Sequence, residues 1–167
     1  MEQRTDQAAR DKVLDLLRDQ HITMMTTRGG DGRMHSRPMG VQHTSFDGHL
    51  WFLTDGRSGK IADIERDPEV LCSYADPSEQ SYVSVSGRGE VVRDRAVIKE
   101  HWFEAARTWF PEGADDPNLC VIRVKVESAE YWDSPSAAMV YAYGYAKAVL
   151  TGKRPDAGEN RTVAFQG

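Results

Sequence analysis

Between Trp51 and Ile64 the sequence reads WFLTDGRSGKIADI, and this stretch gathers the residue types that hold a phosphate. The apolar start predicts a strand that ends at Thr54, and the pattern after Ser58 predicts the first turns of a helix. A phosphate dianion needs hydrogen-bond donors and positive charge at short range. The N–H groups of a helix's first turn supply donors and a partial positive charge together. The hydroxyls of Thr54 and Ser58 can converge on one anion there. Gly56 and Gly59 permit close backbone approach, and Lys60 can add a charge-assisted bond. The same residues also fit an ordinary strand-to-helix turn, with Ser58 as N-cap and Lys60 in solvent.

Two further constellations stand near it. HSRPM, His35 to Met39, places Arg37 beside Pro38 in a strand. An arginine on an inner strand face needs an anionic or planar partner. If Ile22–Arg28, the HSRPM strand and LWFLT form a meander, Arg37 is hairpin-paired to the strand ending at Thr54. The third constellation is aromatic: Trp102, Phe103, Trp109 and Phe110 in one segment, with Tyr131 and Trp132 in another. Large planar side chains flank flat heteroaromatic rings, and equally fill cores and dimer interfaces. The histidines His21, His35, His43, His49 and His101 form no metal-ligand spacing, so no metal site is expected. Neither a nucleophile elbow nor a P-loop is present. No carboxylate pair marks an acid–base site, and no catalytic residue is assigned.

These residues need elements to hold them. DQAARDKVLDLLRDQH carries Ala9, Val13, Leu16 and Leu17 on one helical stripe, with Asp6 as its cap. ITMMTTR reads as a strand, GGDG as a turn, and RMHSRPMGVQHTSF as the returning strand. Pro38 lacks an N–H and belongs at an edge or a bulge. SGKIADIERDP predicts a helix, EVLCSYAD and YVSVSGRGEVVRD two strands, with a bulge or bend at Gly87 and Gly89. RAVIKEHWFEAARTWF predicts one helix, LCVIRVKVESAEYWDS the last strands, and PSAAMVYAYGYAKAVL a final short helix. Residues 1–150 are expected to form one domain, and the polar stretch 151–167 a mobile tail. The fold class expected is mainly β: a six-stranded antiparallel barrel with flanking helices.

Composition narrows the function classes. The chain has 167 residues, 40% of them hydrophobic, and a net charge of -5. That size buries a core without staples, and that charge argues against a nucleic-acid or anionic-membrane binder. Cys72 and Cys120 sit in apolar strand text and are expected as reduced core thiols. No signal peptide or transmembrane run is visible, so a cytoplasmic protein is expected.

The sequence resembles the FMN-binding split-barrel superfamily of pyridoxamine 5′-phosphate oxidase, and most of all its bacterial general stress protein branch. The resemblance rests on HSRPM, LWFLTDGRSGKIADIERDPEVLCSYAD, YVSVSGRGEVV and WFPEGADDPNLCVIRVKVESAEYWD, within residues 8 to 134. It implies a homodimer with flavin at the interface, the cofactor being FMN, or FAD, which contains the same half. By resemblance, Thr54, Ser58 and Lys60 hold the phosphate, and Arg37 contacts the phosphate or ring. Pro38 and Met39 fall where main chain lines the ring edge, and Tyr82 and Ser84 on a flavin-contacting strand. Trp109, Phe110 and Trp132 would reach the partner's flavin. Two departures are informative. Gly59 stands where the oxidases carry an arginine, a role left for Arg57 to fill. RTVAFQG lacks the oxidases' arginine-rich terminal motif, which argues against pyridoxamine phosphate oxidation. Other outcomes for the same fold are a non-catalytic flavin carrier or sensor, or a barrel for a deazaflavin or for haem, which would use an axial His35 or His43.

Overall fold

A computed structural model describes residues 2–42, 46–134, 145–147, 149–152 and 159–165, with side chains from residue 7 onward. Helix α1 (Glu2–Arg18) leads into β1 (Ile22–Arg28), β2 (Met34–Gly40) and β3 (His49–Asp55). Then come α2 (Gly59–Arg66), β4 (Glu69–Asp76), β5 (Ser81–Val92), α3 (Arg95–Glu100), two 3₁₀ turns, β6 (Leu119–Asp133) and β7 (Glu159–Ala164). All strand pairs are antiparallel, in the spatial order β2-β1-β4-β5-β6-β3. The sheet curls until its end strands β2 and β3 approach each other, which makes a split barrel.

Alternation of side chains builds the interior. On β5, Ser81, Val83 and Val85 point inward while Tyr82, Ser84 and Ser86 point out. Phe52, Met25, Ile122 and Val124 fill the barrel, all fully buried. Ala9 and Val13 of α1 and Ile61 and Ile64 of α2 close it from the sides. The expected bulge falls between Ser86 and Gly87. A Cβ at Gly87 would stand 2.2 Å from the Lys125 carbonyl oxygen, so only glycine lets β5 pass β6 that closely. Cys72 and Cys120 are buried free thiols, and burial pushes the Cys72 thiol up to about 12. No helix among the described residues is long and apolar enough to cross a membrane.

Four expectations need correction. First, β1, β2 and β3 are not a meander: β2 pairs with β1, while β3 pairs with β6. Pro38 has no N–H to donate on the strand's free side, so β2 ends the sheet. Second, α1 begins at Glu2, which puts Asp6 inside the helix rather than at its cap. Third, the single helix over 95–110 is broken. Asp94 caps α3 by accepting from Ala96 and Val97 N–H. The helix ends at Glu100, Phe103 is extended (φ −137°), and a 3₁₀ turn covers Glu104–Thr108.

Fourth, the stretch read as a mobile tail contributes β7. Residues 119–125 of β6 pair with β3, and residues 128–133 of the same strand pair with β7. Val163 is 1% exposed within the core, and Phe165 packs against it. Of the helix expected over 135–150, residues 135–144 lie outside the described residues, while 145–147 and 149–151 are helical.

Candidate functional site

The split between β2 and β3 opens at the start of α2. Thr54, 5% exposed, closes β3. The turn that follows is tied by Gly56 N–H to the Asn118 carbonyl and by Ser58 N–H to the Asp55 carbonyl. Ser58 is the N-cap residue of α2, extended at φ −71° and ψ 147°, yet its side chain caps nothing. Its hydroxyl donates to the Asp55 carbonyl instead (2.8 Å) and accepts from Lys60 Nζ (3.0 Å). Ile61 N–H donates to the Ser58 carbonyl (3.0 Å), so the Gly59 and Lys60 N–H groups are the first-turn donors that a ligand can take. The first turn of α2 carries no acidic side chain.

Arg37 comes to the same opening from β2. Its Nη1 donates to Thr27 Oγ1 (2.7 Å) and to the Met25 carbonyl (3.3 Å). Its Nη2 faces Asp63 Oδ2 at 3.6 Å. Together Arg37, Ser58, Gly59, Lys60 and Asp63 form one wall of an open cleft of about 450 Å³. The Gly29–Asp31 turn and His35 form the other, with His35 Nε2 held against Asp31 at 3.0 Å. Burial and then the nearby Arg37 charge lower the Lys60 pKa below its ordinary 10.5. Burial also lowers that of Arg37, with Asp63 partly opposing. Burial thus works against both cations and Arg37 against Lys60, an arrangement that an incoming dianion relieves.

Several expected residues stand elsewhere. Arg57 does not face the cleft. Its N–H and Nε both donate to Asp55 Oδ1 and its Nη2 to Oδ2 (2.7 Å), and these contacts press the Asp55 pKa down to about 2. Arg57 therefore does not supply the arginine that the resemblance places at Gly59. Met39 is buried in the core, with Pro38 exposed beside it. Tyr82 and Trp132 are cross-strand neighbours on the outer sheet face, each 37% exposed, and Ser84 follows on the same face. Trp109 is 72% exposed, whereas Phe110 is packed with Ile98, Ala106, Leu119 and Val121. A separate apolar hollow of about 360 Å³, walled by Leu17, Val41, Phe46 and Phe52, shares no lining residue with the cleft.

Thr27 and Asp63 were not singled out from sequence. Asp63 sits one helical turn after Lys60 in α2, which places both on one face. That spacing was the available signal. Thr27 offered none, because its role depends on the β1–β2 register that brings Arg37 next to it.

An antiparallel split barrel with a cationic cleft at a helix start defines the class. The family described as pyridoxamine 5′-phosphate oxidase like matches residues 8–156, and the chain belongs to it. Within that family the chain stands with the general stress proteins. A solved structure from Jannaschia sp. CCS1, named as a general stress protein 26, is 28% identical with a TM-score of 0.73. That match covers 95% of this chain and 99% of the other. Protein bli-3 of Neurospora crassa is 31% identical, over 87% of this chain and 74% of its own length. The general stress FMN/FAD binding protein of Xanthomonas citri is 26% identical with a TM-score of 0.67, over 76% and 89% of the two chains.

Gly59 offers a direct way to strengthen the cleft. A Cβ built there meets nothing within 4 Å. Gly59→Arg is therefore expected to fold normally and to bring a third cation to the opening. A charged hydrogen bond of about 1.5–3 kcal/mol corresponds to FMN binding about tenfold to a hundredfold tighter. Calorimetric titration of the variant checks it, and unchanged affinity would place the phosphate away from this helix start.

Proposed function

We propose that this chain is a flavin-binding redox protein that acts as a homodimer, with FMN as the cofactor and its phosphate seated at the start of α2. The convergence of Arg37 and Lys60, from elements that are not hydrogen-bonded neighbours, carries this reading. Their charges meet at the helix start beside the Gly59 and Lys60 N–H groups, which is the donor set a phosphate monoester requires. The relative from Xanthomonas citri, named as binding FMN or FAD, supports the same cofactor class. FAD has the FMN half and fits the cleft by the same groups. Bound flavin supplies electron or hydride transfer; the chain supplies anchoring, orientation and a polar environment.

The dimer reading rests on the outer sheet face. Ile22 and Met24 of β1 are 55% and 42% exposed, and Tyr82 and Trp132 lie on β5 and β6, beyond β4 in the same sheet. An apolar, serine-lined sheet face of this kind fits a second copy of the chain. The catalytic substrate class proposed is a reduced nicotinamide donor with a small acceptor.

The test is to purify the protein, add FMN, remove the excess, and record the visible spectrum and the mass in solution. A flavin spectrum on a dimer is expected. A colourless monomer that takes up no FMN would refute the proposal. NADH or NADPH oxidation no faster than with free FMN would reduce it to a carrier or sensor.

A further inference from the structure

A connected set of hydrogen bonds runs behind Arg37, from Thr27 to Asp63 at the cleft wall. Thr27 on β1 is fully buried. Its hydroxyl accepts from Arg37 Nη1 (2.7 Å) and donates to Asp63 Oδ2 (2.9 Å), so one oxygen joins β1, β2 and α2. The second Nη1 proton goes to the Met25 carbonyl. Asp63 Oδ1 is in turn held by Arg66 Nη2 at 3.2 Å, and the Asp63 side chain is only 13% exposed. An acid placed beside a phosphate seat would ordinarily repel its ligand. Here its Oδ2 takes the Thr27 proton and its Oδ1 faces a second arginine, so its charge is already occupied.

We infer that Thr27 and Asp63 are positioning residues that fix which edge of the Arg37 guanidinium meets the phosphate. The inference rests on the reading of this cleft as a phosphate seat. Both Nη1 protons are committed to the protein, so that corner of the fork is closed. The Nε–H and Nη2–H edge is left, and that edge matches two phosphate oxygens in a bidentate contact. A guanidinium on an otherwise free side chain would sample several orientations and lose entropy on binding. The Thr27 hydroxyl removes that freedom in advance, before any ligand arrives. Asp63 performs the complementary task, because without its carboxylate the hydroxyl proton of Thr27 has no acceptor and can turn toward other groups. Thr27 lies fully buried behind the cleft and Asp63 at its wall, and both act through Arg37.

Thr27→Val tests this by removing the hydroxyl at constant shape. FMN and riboflavin affinities are measured by titration in the full-length protein, in the native and the Arg37→Ala backgrounds. Thr27→Val is expected to weaken FMN about tenfold and leave riboflavin unchanged, because riboflavin has no phosphate. In the Arg37→Ala background it is expected to change nothing further, since the residue it positions is gone. Thr27→Ser, which keeps the hydroxyl, is expected to restore FMN affinity. Equal losses for FMN and riboflavin, or the same loss in both backgrounds, would overturn the inference and leave Thr27 a packing residue. Unchanged FMN affinity in Thr27→Val, when Arg37→Ala weakens FMN, would overturn it while the phosphate seat stands. Unchanged affinity in Arg37→Ala itself would refute the seat and the inference with it. Thermal melting confirms folding. If Thr27→Val does not fold, the smaller Thr27→Ala serves with the same expected pattern.

Discussion

Arg37→Ala and Lys60→Ala are each expected to weaken FMN binding about tenfold to a hundredfold. A hydrogen bond to a charged group contributes about 1.5–3 kcal/mol, and each variant removes at least one. Riboflavin should be unaffected by either change, which separates loss of a phosphate contact from loss of fold. The double variant should lose at least the sum of the two, because removing Arg37 alone relieves the repulsion that lowers the Lys60 pKa and so softens the single loss. The pH dependence follows from the same pair. Phosphate binds the charged form of Lys60, so binding raises its pKa and takes up a proton. FMN affinity is therefore full while Lys60 is charged, and is lost as pH rises through its free-state pKa, which lies below 10.5. At the acid end, affinity falls as the phosphate dianion takes up a proton at its second pKa of about 6. Titration across this range in the native protein and in Lys60→Ala checks the sign. The alkaline loss should vanish in the variant.

Val163→Asp is expected to be among the most damaging single changes to the fold. The residue is 1% exposed on β7 and belongs to the main core. Losing its burial costs about 1.5–3 kcal/mol. The buried carboxylate then has no cation set to receive it, which adds a further penalty. Several kcal/mol is a large share of the roughly 5–15 kcal/mol that holds a domain together. Thr162→Asp is the control. Thr162 is exposed on the same strand, and its change should stay within about 0.5 kcal/mol. Chemical denaturation of both variants decides the matter. Equal, small effects would mean that β7 does not contribute to the core.

That second case shows where sequence reading stopped. Residues 151–167 are rich in glycine and charge and carry Pro155, and composition alone describes a tail. Among the described residues of this stretch, Val163 is buried and Phe165 packs against the core, and two apolar residues do not stand out there. What makes them a strand is an open edge on β6 beyond the point where β3 ends, a tertiary fact no local pattern encodes. The meander failed for a related reason. Adjacent strands usually pair, yet here β3 crosses to β6, and a curled sheet brings it back beside β2. The expectation that Arg37 stands near the helix start survived although its stated route, hairpin pairing, did not. The break in the helix after Glu100 was hidden because His101, Trp102 and Phe103 continue an apolar pattern without glycine or proline.

The helix start itself was more legible. Ser58, Gly59 and Lys60 sit where strand-to-helix spacing put them, and the alternation of β5 and the Gly87 bulge were also read correctly. What could not be read was direction. Arg57 lies within three residues of Lys60, yet Asp55 on the preceding strand holds it on the other side of the turn. Arg57 has a carboxylate two residues away, and its proximity in sequence made a bidentate pair easier than a reach into the cleft. Thr27 and Asp63 show the opposite situation, in which residues far apart in sequence are joined by one hydroxyl.

The most direct measurement is titration of the purified protein with FMN and with riboflavin, followed by quenching of flavin fluorescence. Saturation near one FMN per chain is expected, with riboflavin bound at least tenfold more weakly because it lacks the phosphate that Arg37 and Lys60 hold. Absence of saturable FMN binding, or equal affinity for the two flavins, would contradict a phosphate seat at the start of α2.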